Sequence, residues 1–105
     1  MLRHVALFRF KPETTDEQVE ATMVALSALP DQIDVLRKFR FGPDAGITEG
    51  AWDFAVVAVV DTADDYVAYR DDPAHVAVLR DYLAPLIAEA ARIQFESDGE
   101  SMSRT

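Results

Sequence analysis

The segment Ala51–Asp61, AWDFAVVAVVD, is the strongest strand signal in the chain. Its four valines are β-branched, and branched side chains suit a pleated surface. Apolar groups fall on both parities, Trp52, Phe54 and Val56 on one and Ala55, Val57 and Val59 on the other. A strand with two apolar faces belongs in the middle of a sheet, covered on both sides.

Upstream of it, PDAGITEG reads as a loop, and VLRKFRFG as a second strand in which Lys and Arg alternate with apolar residues, a pattern suited to a sheet edge. Further back, ETTDEQVEATMVALSALP reads as a helix. Thr14 and Glu17 have capping-box spacing, Val19, Met23 and Leu26 form a stripe with Leu29 beside it, and Pro30 stops the run. The first strand spans Arg3–Phe10: His4, Ala6, Phe8 and Phe10 face one way, and Val5, Leu7 and Arg9 the other.

Downstream, Thr62 caps a short helix with Asp65 at its third position and Tyr66 and Tyr69 on neighbouring turns. Asp72 and Pro73 then supply an N-cap and first residue for another helix, with a stripe of Val76, Leu79, Leu83, Leu86 and Ala90 that Pro85 should kink or break. ARIQFE reads as a short last strand, closing a domain over residues 1–96; the polar tail 97–105 has nothing to bury and is expected to fray.

The order β-α-β-β-α-β is the split-βαβ, ferredoxin-like pattern, an α+β protomer with a four-stranded antiparallel sheet and helices on one face. The alternation places Phe8, Phe10, Trp52, Phe54 and Val56 on the other face, where they would form a large wet apolar patch. A second copy of the chain packed sheet against sheet covers it, giving an isologous homodimer, a dimeric α/β barrel whose interior between the sheets could hold a cavity.

Composition narrows the partners. The chain has 105 residues, half of them hydrophobic and 28% charged, as expected of one small globular domain. A net charge of -9 disfavours nucleic acid and anionic membranes. No apolar run approaches the ~20 residues of a membrane span, and the start lacks a signal-peptide pattern. The absence of cysteine removes disulfides, thiol nucleophiles and Cys-ligated metals, and suits a cytoplasmic protein. The acidic residues Asp61, Asp64, Asp65, Asp71 and Asp72 lack EF-hand spacing, and helix capping accounts for most of them, so no metal is expected. There is no Gly-rich phosphate loop and no Ser-His-Asp order, and no cofactor is expected.

HVALFRFKP at the start, DYVAYRDDPAH in the middle, Leu83-Ala84-Pro85-Leu86 and the closing FE resemble the stress-responsive A/B barrel (Dabb) family, from about His4 to Glu96. The resemblance implies a ferredoxin-like protomer that dimerises through its sheets, with a pocket in each protomer. Many members have no assigned activity. Members of the olivetolic acid cyclase type are cofactor-free polyketide cyclases, and their catalytic Tyr and His match Tyr69 and His75 here, with a pocket-lining histidine matching His4. Thr22, Met23 and Leu26 stand where the cyclase has aromatic pocket residues, and Phe54 where it has a third histidine. Phe8, Phe10, Met23, Leu26, Phe54 and Val56 complete the expected apolar lining.

A cyclising aldol step needs a base beside a carbonyl and a donor for the developing oxyanion; a neutral imidazole and a phenol can fill these roles. His75, as third helical residue, feels the positive helix end, which favours the neutral ring, while Asp71 and Asp72 favour the charged one. Each residue also has a plain structural role open to it. His75 could bond a nearby carbonyl, Tyr69 could lie along an amphipathic helix, His4 could be a satisfied strand residue, and the aromatics could be core or dimer interface. Three functions therefore remain: a cofactor-free cyclase or lyase acting on a polyketide-like carbonyl compound, a non-catalytic dimer that binds a small hydrophobic molecule or serves a stress response, and a monooxygenase of a neighbouring barrel family.

Overall fold

The structure, a computed structural model, describes residues 1–97. In chain order its elements are β1 (Leu2–Phe10), α1 (Asp16–Ser27), α2 (Leu29–Gln32), β2 (Lys38–Pro43), β3 (Phe54–Val60), α3 (Ala63–Asp71), α4 (Pro73–Val78), a π-helical turn (Leu79–Leu83) and β4 (Ile87–Glu96). The strands form one antiparallel sheet in the order β2-β3-β1-β4. The basic strand β2 is at an edge and the valine-rich strand β3 is inside, as the sequence implies.

Register sorts the side chains by face. His4 lies opposite Ala58 and Gln94, and Phe8 opposite Phe54. Ala6, Phe8, Phe54, Val56 and Ala58 share one buried cluster with Leu26 and Leu29 of the helices, Tyr69 of α3 and Leu83 of the π turn. Phe8, Phe10, Phe54 and Val56 are therefore on the helix side, not on the outer face predicted for them. Alternation fixes which residues share a face but not which face the helices choose; the larger side chains took the face where helices can bury them. Trp52 departs from the set, its ring lying 4.4 Å beneath the guanidinium of Arg9, an outer-face residue.

The outer face carries Val5, Leu7, Val57, Ile93 and Phe95. Ile93 is 58% exposed and Phe95 43% exposed, so this face still presents an apolar surface.

The helix boundaries differ in three places. The capping box at α1 is Thr15 with Gln18: the Thr15 hydroxyl accepts from the Gln18 amide at 3.2 Å, and the Gln18 side chain accepts from the Thr15 amide at 2.8 Å. This frame puts both Asp16 and Glu17 in the first turn, against the positive end of the helix. Pro30 does not end the helical path; it sits in the first turn of α2, where its missing N–H leaves no bond unmade. The third difference is that α4 stops at Val78 and widens into the π turn, closed by Ala84 N–H donating to Leu79 O at 2.7 Å. Pro85 then bars further helix, and β4 begins at Ile87 and runs ten residues. Ala90 is consequently a strand residue, and the wider turn shifts the phase so that Val76 is exposed while His75, Leu83 and Leu86 are buried. The expected polar tail lies outside the described residues, apart from Ser97.

Candidate functional site

The site grows from a one-residue break between α3 and α4. Asp72 has extended geometry, φ -61° and ψ 131°, and its carboxylate accepts from the Ala74 amide at 2.8 Å. Pro73 follows as first helical residue. This reversal turns His75 back toward the end of α3, where Nδ1 donates to the Arg70 carbonyl at 3.0 Å. That carbonyl is one of those a helix C-terminus leaves without an intrahelical partner, so His75 caps α3. A carbonyl can only accept, so Nδ1 carries the proton, and in the neutral ring Nε2 keeps the lone pair.

The His75 ring stacks on Tyr69 with centroids 4.2 Å apart and planes tilted by 36°. Tyr69 is 2% exposed, His75 7% and His4 8%. His4 enters from β1, its centroid 4.9 Å from Tyr66 and 6.3 Å from Tyr69. On its other side the Gln94 side-chain amide of β4 donates to His4 Nδ1 at 2.8 Å, which leaves the His4 proton on Nε2. One histidine thus offers a lone pair and the other an N–H.

These groups border a cavity of about 590 Å³ between the sheet and the helices, within one protomer. It lies inside the protomer, where the family resemblance implies a pocket, and not in the space between two sheets that the dimer reading suggested. Phe8, Leu26, Val56 and Leu83 give it apolar walls. Of the residues expected to line it, His4, Phe8, Leu26, Val56, Tyr69 and His75 do so. Phe10 and Met23 border a separate depression near Pro12 and Pro43, and Phe54 is packed into the core, so these three do not reach this cavity. The sequence reading missed Arg92 and Gln94 of β4, which join the lining because β4 pairs beside β1 and sets them opposite Ala6 and His4 on the helix-side face. Their signal was present as an i, i+2 polar pair on one face of the last strand.

Burial decides the protonation states. Desolvation lowers the His4 pKa to about 4, with repulsion from His75 whenever that ring is charged, and from Arg92, adding to it. His75 is also lowered, mainly by desolvation, against the opposing pull of the Arg70 carbonyl and Asp72. Burial raises the Tyr69 phenol, with Tyr66 adding to the effect, so Tyr69 stays protonated and can donate.

The sign for stability follows. The unfolded chain protonates His4 near pH 6.5, the folded chain only near pH 4. Stability is therefore full above about pH 6.5 and falls as pH drops toward about 4, because the unfolded state takes the proton first. At pH 5 the loss from His4 is on the order of 2 kcal/mol, and His75 adds to it in the same direction. Asp61, Asp71 and Asp81 are held below their ordinary values by Arg37, Arg70 and Arg80 and contribute at lower pH. Urea unfolding midpoints should fall between pH 7 and pH 5, and His4→Asn should flatten part of that fall. A midpoint independent of pH across this range would contradict the neutral-ring assignment.

Fold and site together define a ferredoxin-like α+β protein with a polar-mouthed apolar cavity between helices and sheet. The chain belongs to the stress responsive A/B barrel domain family, which it matches over residues 2–97. It is 33% identical over 94 residues, 85% of this chain and 97% of the relative, to an uncharacterized protein of Streptomyces coelicolor. A dimeric ferredoxin-like protein of unknown function from Thermobifida fusca is 45% identical, with 90% of this chain and 88% of that one covered and a TM-score of 0.84. Hydroxynitrile lyase from Passiflora edulis shares the fold at 13% identity, with 90% of each chain covered and a TM-score of 0.76.

Proposed function

We propose that the protein is a cytoplasmic homodimer that takes a small, largely apolar carbonyl compound into each protomer's cavity and catalyses a cofactor-free cyclising or lyase reaction on it, the substrate being polyketide-like. The observation that carries this reading is the convergence of three neutral polar rings, His4, Tyr69 and His75, on one apolar cavity. In the cyclising case His75 Nε2 removes a proton from the carbon beside a carbonyl. Tyr69 donates to the resulting enolate oxygen. The enolate carbon forms a bond to a second carbonyl carbon of the same chain, and the new alkoxide takes the proton back from His75. Incubation of the protein with a linear poly-β-keto compound, offered both as the free acid and as a thioester, followed by mass spectrometry of the products, tests this. Ring closure faster than in buffer is the expected result; none, together with retention of the compound, supports the binding reading. One observation favours that second reading: the bond from His75 to the Arg70 carbonyl gives the ring a structural task of its own.

The dimer reading rests on the exposed apolar face of β1, β3 and β4 and on the dimeric Thermobifida relative. Covering that face in a specific interface should bury more than ~1,000 Å² in total. Sedimentation at micromolar concentration should report a dimer, and Ile93→Asp, which places a carboxylate on this face, should shift it toward monomer. A well-folded wild-type monomer would overturn the assignment.

A further inference from the structure

We propose that the ligand also carries an anionic group, a carboxylate, and that Arg92 holds it at the mouth of the cavity. The proposal rests on the cavity being the ligand site, and it deepens that reading. Arg92 lies on the helix-side face of β4, paired with Ala6 and two residues before Gln94, and it lines the cavity. Ala90, Arg92 and Gln94 are exposed there, so the guanidinium is reachable from solvent. The methyl group of Ala6 opposite it leaves room for a guest.

The chain holds 19 acidic and 10 basic residues, and Arg9, Arg37, Arg70 and Arg80 each have a carboxylate partner. The Arg92 side chain, by contrast, has no ion pair or hydrogen bond among the described residues. A guanidinium fork matches a carboxylate with two parallel hydrogen bonds. Arg92 is diagonal to His4 across the β1–β4 pair, a separation of about 7–8 Å between such neighbours. A carboxylate on Arg92 would therefore set the next atoms of the ligand beside the His4 ring, with the remainder running toward Phe8, Leu26, Val56 and Leu83. Combined with the carbonyl chemistry proposed above, this narrows the compound to an apolar oxo acid.

The test compares octanoate with octanamide, of equal length and differing in charge, by calorimetry at pH 8 with the full chain. Wild type should bind octanoate about tenfold more tightly, the worth of one charge-assisted hydrogen bond. Arg92→Gln should abolish the preference. Arg37→Gln, which removes a positive charge paired with Asp61 outside the cavity lining, should retain it. Equal binding of both probes by wild type, or a preference that survives in Arg92→Gln, overturns the role of Arg92 and leaves the cavity reading standing. Binding of neither probe overturns both.

Discussion

Phe54→Ala is expected to destabilise the folded chain by about 3–5 kcal/mol, the usual loss for a buried phenylalanine. Phe54 is the first residue of β3 and is 1% exposed. It pairs in register with Phe8 of β1 and Pro43 of β2, so its ring stands where three strands meet. The Phe10 ring lies 5.7 Å from it, centroid to centroid. Truncation removes the apolar area and also leaves a void that paired strands cannot close, since their spacing is set by backbone hydrogen bonds. The melting temperature of so small a domain should fall by at least about 12 °C. Phe54→Leu, which retains much of the volume, should lose far less. Calorimetry showing Phe54→Ala within a few degrees of wild type would mean that the ring is not part of the core.

The same residue shows where the sequence could be read and where it could not. A valine-rich stretch that is apolar on both parities fixes an inner strand, and the alternation of Arg3–Phe10 fixes a second strand beside it. Period-two patterning is local, and the β-α-β-β-α-β order follows from the elements in sequence. The assignment of the two faces is not local. Helices cover the face holding Phe8, Phe54 and Val56, and that choice depends on how connections of known length cross the sheet. Reversing the faces moved the expected cavity from the gap between two sheets to the space under the helices. The Asp72-Pro73 cap was legible because its side-chain and ring chemistry act within three residues. The π turn was not, since Ala84 bonding to Leu79 has no signature beyond a proline that could equally have kinked the helix. Arg92 and Gln94 stood in the expected last strand, but their place in the cavity depends on that strand pairing with β1, opposite Ala6 and His4, which local patterning does not fix.

For any reaction the protein proves to catalyse, His75→Ala should lower the rate by about 10²-fold or more, the contribution of a positioned general base. Alanine alone does not isolate that role, because it also removes the donor to the Arg70 carbonyl and uncaps α3. His75→Asn separates the two. The asparagine amide nitrogen can take the place of Nδ1 and donate to Arg70 O, while no basic nitrogen remains where Nε2 stood. The expected pattern is that His75→Asn melts close to wild type and is nevertheless as slow as His75→Ala. Tyr69→Phe keeps the ring stacked on position 75 and removes only the hydroxyl, so it should lose rate through oxyanion stabilisation while the core stays filled. The pH profile adds a readout that a merely structural histidine would not move. Because burial lowers the His75 pKa, the base form persists to pH values below the ordinary imidazole range, and the acid limb of the rate should lie below about 6.5. If His75→Asn keeps full activity, the ring serves as the cap of α3 and the cavity is a binding site without chemistry.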